Sequence, residues 1–146
     1  MSEGTTHRTV SVERLENGVY LARNARGGEL RVSGSDGATF TPVELLLVAL
    51  GACTAVDVDA VTSRRAEPER FVVRVDAEKV RDEHGNALRD IAVTFDLAFP
   101  EGEAGGAARS VVPRAVQVSH DRTCTVSRTV EAGTPVTVRV ADGPAV

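Results

Sequence analysis

Thr41-Pro42-Val43-Glu44-Leu45-Leu46-Leu47-Val48-Ala49-Leu50-Gly51-Ala52-Cys53-Thr54-Ala55-Val56-Asp57-Val58 is the stretch on which the fold turns. Thr41 suits an N-cap, Pro42 the first helical position, and Glu44 the positive end of the helix dipole. The helix is expected to run to about Arg64, with Arg64 and Arg65 at its negative end. It is apolar on nearly every side, which predicts a central rather than a superficial helix. Its length approaches that of a membrane span, but Glu44, Asp57 and Asp59 are costly in hydrocarbon, so it reads as a helix buried in protein. Gly51, Ala49, Ala52 and Ala55 allow close approach of another element, a copy of the same helix from a second subunit being one candidate.

Upstream of this helix, alternating residues predict strands. Val10 and Val12 alternate with Thr9 and Ser11, and Val19, Leu21, Leu30 and Val32 flank the turn Asn24-Ala25-Arg26-Gly27-Gly28. Residues 33–41 read as a polar loop. Downstream, a strand is expected over 71–81, a hairpin loop over 82–86, and a second strand in which Ile91, Val93, Phe95, Leu97 and Phe99 keep a period of two. Residues 100–106 read as a flexible loop. Residues 110–121 read as a helix with Pro113 in its first turn. A further helix over 123–132 is ended by Gly133, and 135–140 is read as a last strand. Strands, long helix, two strands, two helices and a strand make an α+β fold with mainly antiparallel pairing. No repeat or long linker divides the chain, so 1–146 is read as a single domain.

Composition narrows the function classes. A net charge of −4 offers no attraction to nucleic acid or to anionic membranes. Aromatic residues are 3% of the chain and Trp is absent, which removes stacking platforms for bases. Residues 1–9 are polar and carry no apolar signal region. The expectation is a cytoplasmic protein, in which a disulfide is more often transient than structural.

Cys53 and Cys124 lie far apart in sequence and neither belongs to a CxxC pair. They read either as small core residues or as a thiol/disulfide pair brought together by folding. Asp57 falls one turn after Cys53, and a carboxylate there disfavours thiolate, so a reactive Cys53 needs a cation from elsewhere. Arg23 and Arg26, in the hairpin, are candidates. Cys124 sits near a predicted helix start, where the dipole lowers a thiol pKa, with His120, Arg122 and Arg128 close in sequence. Cys53, Asp57, His120 and Cys124 together also have the character of a zinc ligand set, though the spacing is unspecific. No cofactor motif is present, and neither a bound metal nor a cofactor is expected.

The run from Thr41 to Val58 strongly resembles the OsmC/Ohr family, the osmotically inducible and organic-hydroperoxide-resistance proteins. Ala115-Val116-Gln117-Val118-Ser119-His120-Asp121-Arg122-Thr123-Cys124-Thr125-Val126 is a second match, and the order of elements agrees over nearly the whole chain. The resemblance implies an intertwined homodimer with two curved sheets wrapped around central helices. It implies thiol-dependent reduction of organic hydroperoxides, with Cys53 as the peroxidatic cysteine, Cys124 as the resolving one, and a cellular dithiol, of lipoyl type, as reductant. In the best-understood members a glutamate follows the helix-opening proline and orients an N-terminal arginine beside the thiolate. Here that position is Val43, and Glu44 lies one residue on, rotated by roughly 100°. Pro42-Val43-Glu44-Leu45 and Cys53-Thr54-Ala55-Val56-Asp57-Val58 look most like the YhfA-like branch. A non-catalytic small-molecule-binding or redox-sensing protein on the same scaffold is the alternative, since fold does not imply function.

Overall fold

The computed structural model describes residues 6–34 and 37–141. Residues 1–5 of the polar N-terminal stretch and 35–36 of the expected loop lie outside the described residues. The chain forms two compact units, Met1–Leu46 and Leu47–Val146.

In the first unit, β1 (Val10–Glu16), β2 (Val19–Asn24) and β3 (Glu29–Ser33) make an antiparallel sheet in the order β1-β2-β3. The β2–β3 turn falls where the sequence places it. Asn24 Oδ1 accepts the N–H groups of Arg26 at 3.0 Å and Gly28 at 2.8 Å, an Asx turn that substitutes a side chain for a backbone carbonyl. Helix α1 (Pro42–Thr62) begins here. Thr41 Oγ1 accepts the Glu44 N–H at 3.2 Å, and Glu44 Oε1 accepts the Thr41 N–H at 2.9 Å. This reciprocal capping box satisfies two backbone donors that the helix start leaves open.

The second unit holds the rest of α1. Leu50, Thr54, Val58 and Thr62, each four residues after the last, form its buried ridge. Gly51 faces a strand that holds Val73 and Val75: a Cβ there would lie 2.8 Å from Val75 Cγ2 and 3.6 Å from Val73 Cγ1. The close approach expected of the small residues is therefore made by a strand of the same chain. At the far end the helix stops at Thr62, two residues short of the expected Arg64, and the Arg65 guanidinium donates to the Val61 carbonyl at 2.9 Å. The helix is buried on one ridge only. Val48 and Val56 stay 46% and 69% exposed, so within one chain it is not the fully enclosed helix its composition predicts.

Strands β4 (Arg70–Asp82) and β5 (Gly85–Ala98) form a long antiparallel hairpin with a register shift between Asp76 and Glu78. Phe71 and Phe95 meet edge to face across it, with ring centroids 6.4 Å apart.

Helix α2 (Glu103–Val118) starts seven residues before the expected 110 and places Pro113 inside the helix rather than in its first turn. The flexible loop expected over 100–106 is thus half helical. Gly105 and Gly106 argue locally against helix, but packing overrides them: Gly105 lies against the Pro100 carbonyl, where no side chain fits. Beyond Val118 the chain enters a π turn, Ser119–Thr123, then helix α3 (Thr125–Ala132). Gly133 closes α3 with φ 65, as its type predicts. The last strand expected over 135–140 is not formed among the described residues. Alternation assigns faces to a strand, but a strand exists only where a neighbour takes up its backbone groups. Val136, Val138 and Val140 are left more than half exposed.

A Cβ on Gly105 would overlap the Pro100 carbonyl oxygen and come within 2.7 Å of its carbon, so Gly105→Ala is expected to destabilise by about 1–3 kcal/mol. At Gly106 the nearest atom is the tip of Arg109 at 3.9 Å, so Gly106→Ala is expected to be neutral or stabilising by up to ~1 kcal/mol. Thermal melts of the two variants against the parent check the contrast.

Candidate functional site

The site is built on α1 and on the turn that joins α2 to α3. On α1, Asp57 lies one helical turn after Cys53 and nearly one turn after Thr54, so it shares a side with each. The π turn brings Ser119, Thr123 and Cys124 to meet them. Asp57 Oδ2 accepts the Ser119 hydroxyl at 2.7 Å and the Thr123 hydroxyl at 2.9 Å. Thr54 Oγ1 and Ser119 Oγ lie 2.9 Å apart. The carboxylate can only accept, so the Ser119 proton points to Asp57 and Thr54 is the donor to Ser119. Thr54 and Ser119 are buried, and each finds a partner, as buried polar groups must.

Cys124 is fully buried, closes the π turn by donating its N–H to the Ser119 carbonyl at 2.8 Å, and caps α3. Its sulfur accepts the Ser127 N–H at 3.4 Å. Both cysteines are free thiols, Cys53 half-buried. Cys53 is near enough to Cys124 for its side chain to bear on the Cys124 thiol. The fold thus brings into one neighbourhood two thiols that lie far apart in sequence.

The electrostatics of Cys124 differ from the sequence expectation. Its thiol pKa is raised, not lowered. Burial is the largest cause; the Ser127 N–H opposes it, and the Cys53 side chain and the Asp57 charge add to it. A helix N-terminus favours a thiolate only where the charge is also solvated, and here it is not. His120 reaches out to Glu131, Nε2 to Oε1 3.7 Å, and is half exposed.

Other candidates have tasks of their own. Glu44 is engaged in the α1 capping box. Arg23 is hydrogen-bonded to Glu13 at 2.6 Å and lies 3.5 Å from Glu29, within its own sheet. Arg26 sits in the β2–β3 turn with its backbone N–H on Asn24. Among the described residues no three His, Cys, Asp or Glu side chains converge, so the zinc alternative gains no ligand set.

Beside Cys124 lies a pocket of about 320 Å³. Leu50, Ile91, Phe95, Val116 and Val130 make its walls apolar, and His120 and Glu131 are among its polar members. Cys124 forms part of this wall while remaining closed to water. The sequence reading missed Thr54, Ser119 and Thr123. The available signal was the pair Ser119 and Thr123, four apart, on the segment before Cys124.

Residues 34–139 match the family described as OsmC-like protein. The chain belongs to that family. This OsmC-like chain is 33% identical over 133 residues to uncharacterised proteins of Mycobacterium tuberculosis and Mycobacterium bovis, covering 90% of itself and 94% of each. Its fold is that of an OsmC-like protein of unknown function from Vibrio cholerae, with TM-score 0.71 and 12% identity over 87% of this chain and 95% of the other. It also matches an organic hydroperoxide resistance protein from Legionella pneumophila, with TM-score 0.56 and 16% identity over 88% and 91% of the two chains. The α+β class with antiparallel sheets, expected from the order of elements, is the class of these neighbours.

The raised pKa has a direct readout. Cys124 is expected to stay a thiol through neutral pH and to be alkylated only as pH climbs above the ordinary thiol range. In Cys53→Ala the midpoint should fall, because two of the raising causes leave with Cys53, yet stay elevated, because burial remains. Alkylation mapped by mass spectrometry across an alkaline pH series measures both.

Proposed function

We propose that this OsmC-like protein reduces organic hydroperoxides through a cycle of Cys53 and Cys124. The observation that carries this reading is the nearness of the two thiols, with Cys124 lining an apolar pocket. Cys53, the more accessible sulfur, attacks as thiolate on the peroxide O–O bond. An S–O bond forms, the O–O bond breaks, and the alkoxide leaves to take a proton. Cys124, kept protonated by its burial, does not compete as a nucleophile in this step. It then attacks the Cys53 sulfenic acid: the S–S bond forms and the sulfenic oxygen leaves as water. A dithiol of lipoyl type returns the disulfide to two thiols by exchange. The apolar wall of the pocket suits the carbon tail of an organic peroxide better than hydrogen peroxide. Arg23 and Arg26 are the candidates for the cation that favours the Cys53 thiolate.

We also infer a homodimer acting as one OsmC-like domain per chain in the cytoplasm. Val48 and Val56 on α1, and the alternating valines at 136, 138 and 140, offer apolar surface that a second copy would cover. The branch assignment to YhfA-like proteins rests on the α1 residues quoted above.

A second reading is favoured by Val43, which stands where a carboxylate would orient an arginine, and by the pairing of Arg23 with Glu13. On it, the scaffold binds a small apolar molecule or senses redox state without turnover.

Peroxide assays separate the two. With cumene hydroperoxide and dihydrolipoamide, the parent is expected to turn over and Cys53→Ser to fall to the uncatalysed background, and with peroxide alone Cys124→Ser is expected to consume one equivalent and stop with sulfenic acid on Cys53. A parent protein whose Cys53 stays a thiol under excess peroxide would establish the non-catalytic reading. Sedimentation should find a dimer, and Val56→Glu, placing a charge on exposed apolar helix surface, should shift it toward monomer.

A further inference from the structure

Two sets of three residues meet across the α1 and π-turn segments. Cys53 lies near Cys124, Thr54 meets Ser119, and Asp57 takes both Ser119 and Thr123. Ser119 and Thr123 are the first and last residues of the π turn, and Cys124 comes directly after it. A carboxylate holding both ends of a turn fixes how that turn is wound. An α-helical continuation would rotate successive side chains by about 100°, whereas the wider π turn carries an extra residue and re-aims the side chains beyond it. The first of these is Cys124. Cys124 also leaves the helical conformation at this point, with φ −76 and ψ 96.

We propose that Asp57 is a positioning residue: through the hydroxyls of Ser119 and Thr123 it winds the π turn so that the Cys124 sulfur is held against Cys53 for disulfide formation. This rests on reading the two thiols as a redox pair. Asp57 does not touch the reacting atoms. Its hydrogen bonds are charge-assisted, and hence stronger than those between neutral groups. Ser119 gives its single proton to Asp57 and accepts from Thr54, so the network has one arrangement of protons. Intramolecular sulfur chemistry depends steeply on such placement, because orientation replaces the entropy of bringing two groups together.

Thiol exchange tests this without any peroxide. The full-length reduced protein is equilibrated in buffers of varied glutathione thiol-to-disulfide ratio. The Cys53–Cys124 bond forms as the glutathione S–S bond breaks, two electrons pass to glutathione, and two glutathione thiols are released with the protons. Acid quench, alkylation and mass spectrometry give the equilibrium constant. Ser119→Ala is expected to lower the constant roughly tenfold, and Thr123→Val, which keeps shape and loses the hydroxyl, several-fold. Thr123→Ser restores the hydroxyl and should restore the parent value. Substituting the hydroxyls leaves the Asp57 charge near the sulfurs in place. Ala108→Gly, in buried α2, destabilises the same unit without touching the network and should leave the constant unmoved. Constants equal to the parent in Ser119→Ala and Thr123→Val, or Thr123→Ser behaving like Thr123→Val, would overturn the positioning role while leaving the redox pair intact. A parent that forms no Cys53–Cys124 disulfide at any ratio would remove the redox reading and this inference with it.

Discussion

Asp57 is the constraint around which the second unit is arranged. A carboxylate set against a buried serine must be supplied with donors, and a lost donor there costs about 1–3 kcal/mol. Ser119 and Thr123 supply them from the other end of the unit in sequence. To do so, α2 gives up regular α winding after Val118, and α3 cannot start until Thr125. The buried ridge of α1 and the hairpin β4–β5 then enclose the apolar pocket beside Cys124. A local electrostatic requirement therefore determines where two helices stop and start.

The chemistry at the sulfurs is governed by the competition between desolvation and helix-terminal charge. Cys124 stands at a helix N-terminus with one N–H aimed at its sulfur, an arrangement that lowers thiol pKa where water or a cation assists. Full burial reverses the sign. The asymmetry between a half-buried Cys53 and a buried, protonated Cys124 suits a pair in which one sulfur meets a small molecule first and the other answers it.

Legibility in the sequence depends on how local each signal is. The start of α1 is written within four residues, Thr41 to Glu44, and the structure forms it as a reciprocal cap. The turn at Asn24 is likewise local, and so is the period-two run through Phe95. Helix α2 fails to be legible at its start because Gly105 is there for its close fit against the Pro100 carbonyl, a packing reason that propensity cannot express. The π turn is invisible for the same reason, its cause being a carboxylate on another helix. The meeting of Cys53 with Cys124 lay between these cases. Their residue types raised it, resemblance sharpened it, and the folded chain brings the two into one neighbourhood. The alternating valines at 136, 138 and 140 had the right pattern for a strand, yet among the described residues no neighbouring strand completes one.

The atom capping α3 is a sulfur, and this ties helix mechanics to oxidation number. Ser127 N–H bonds to Cys124 Sγ, and that sulfur can exist as thiol, thiolate or half of a disulfide. Each form offers the amide a different electron density, greatest for the thiolate, whose charge at a helix N-terminus contributes ~0.3–1 kcal/mol. Fraying of the first turn of an eight-residue helix thereby becomes a backbone report on a redox event, legible in principle from the exchange of a single amide proton.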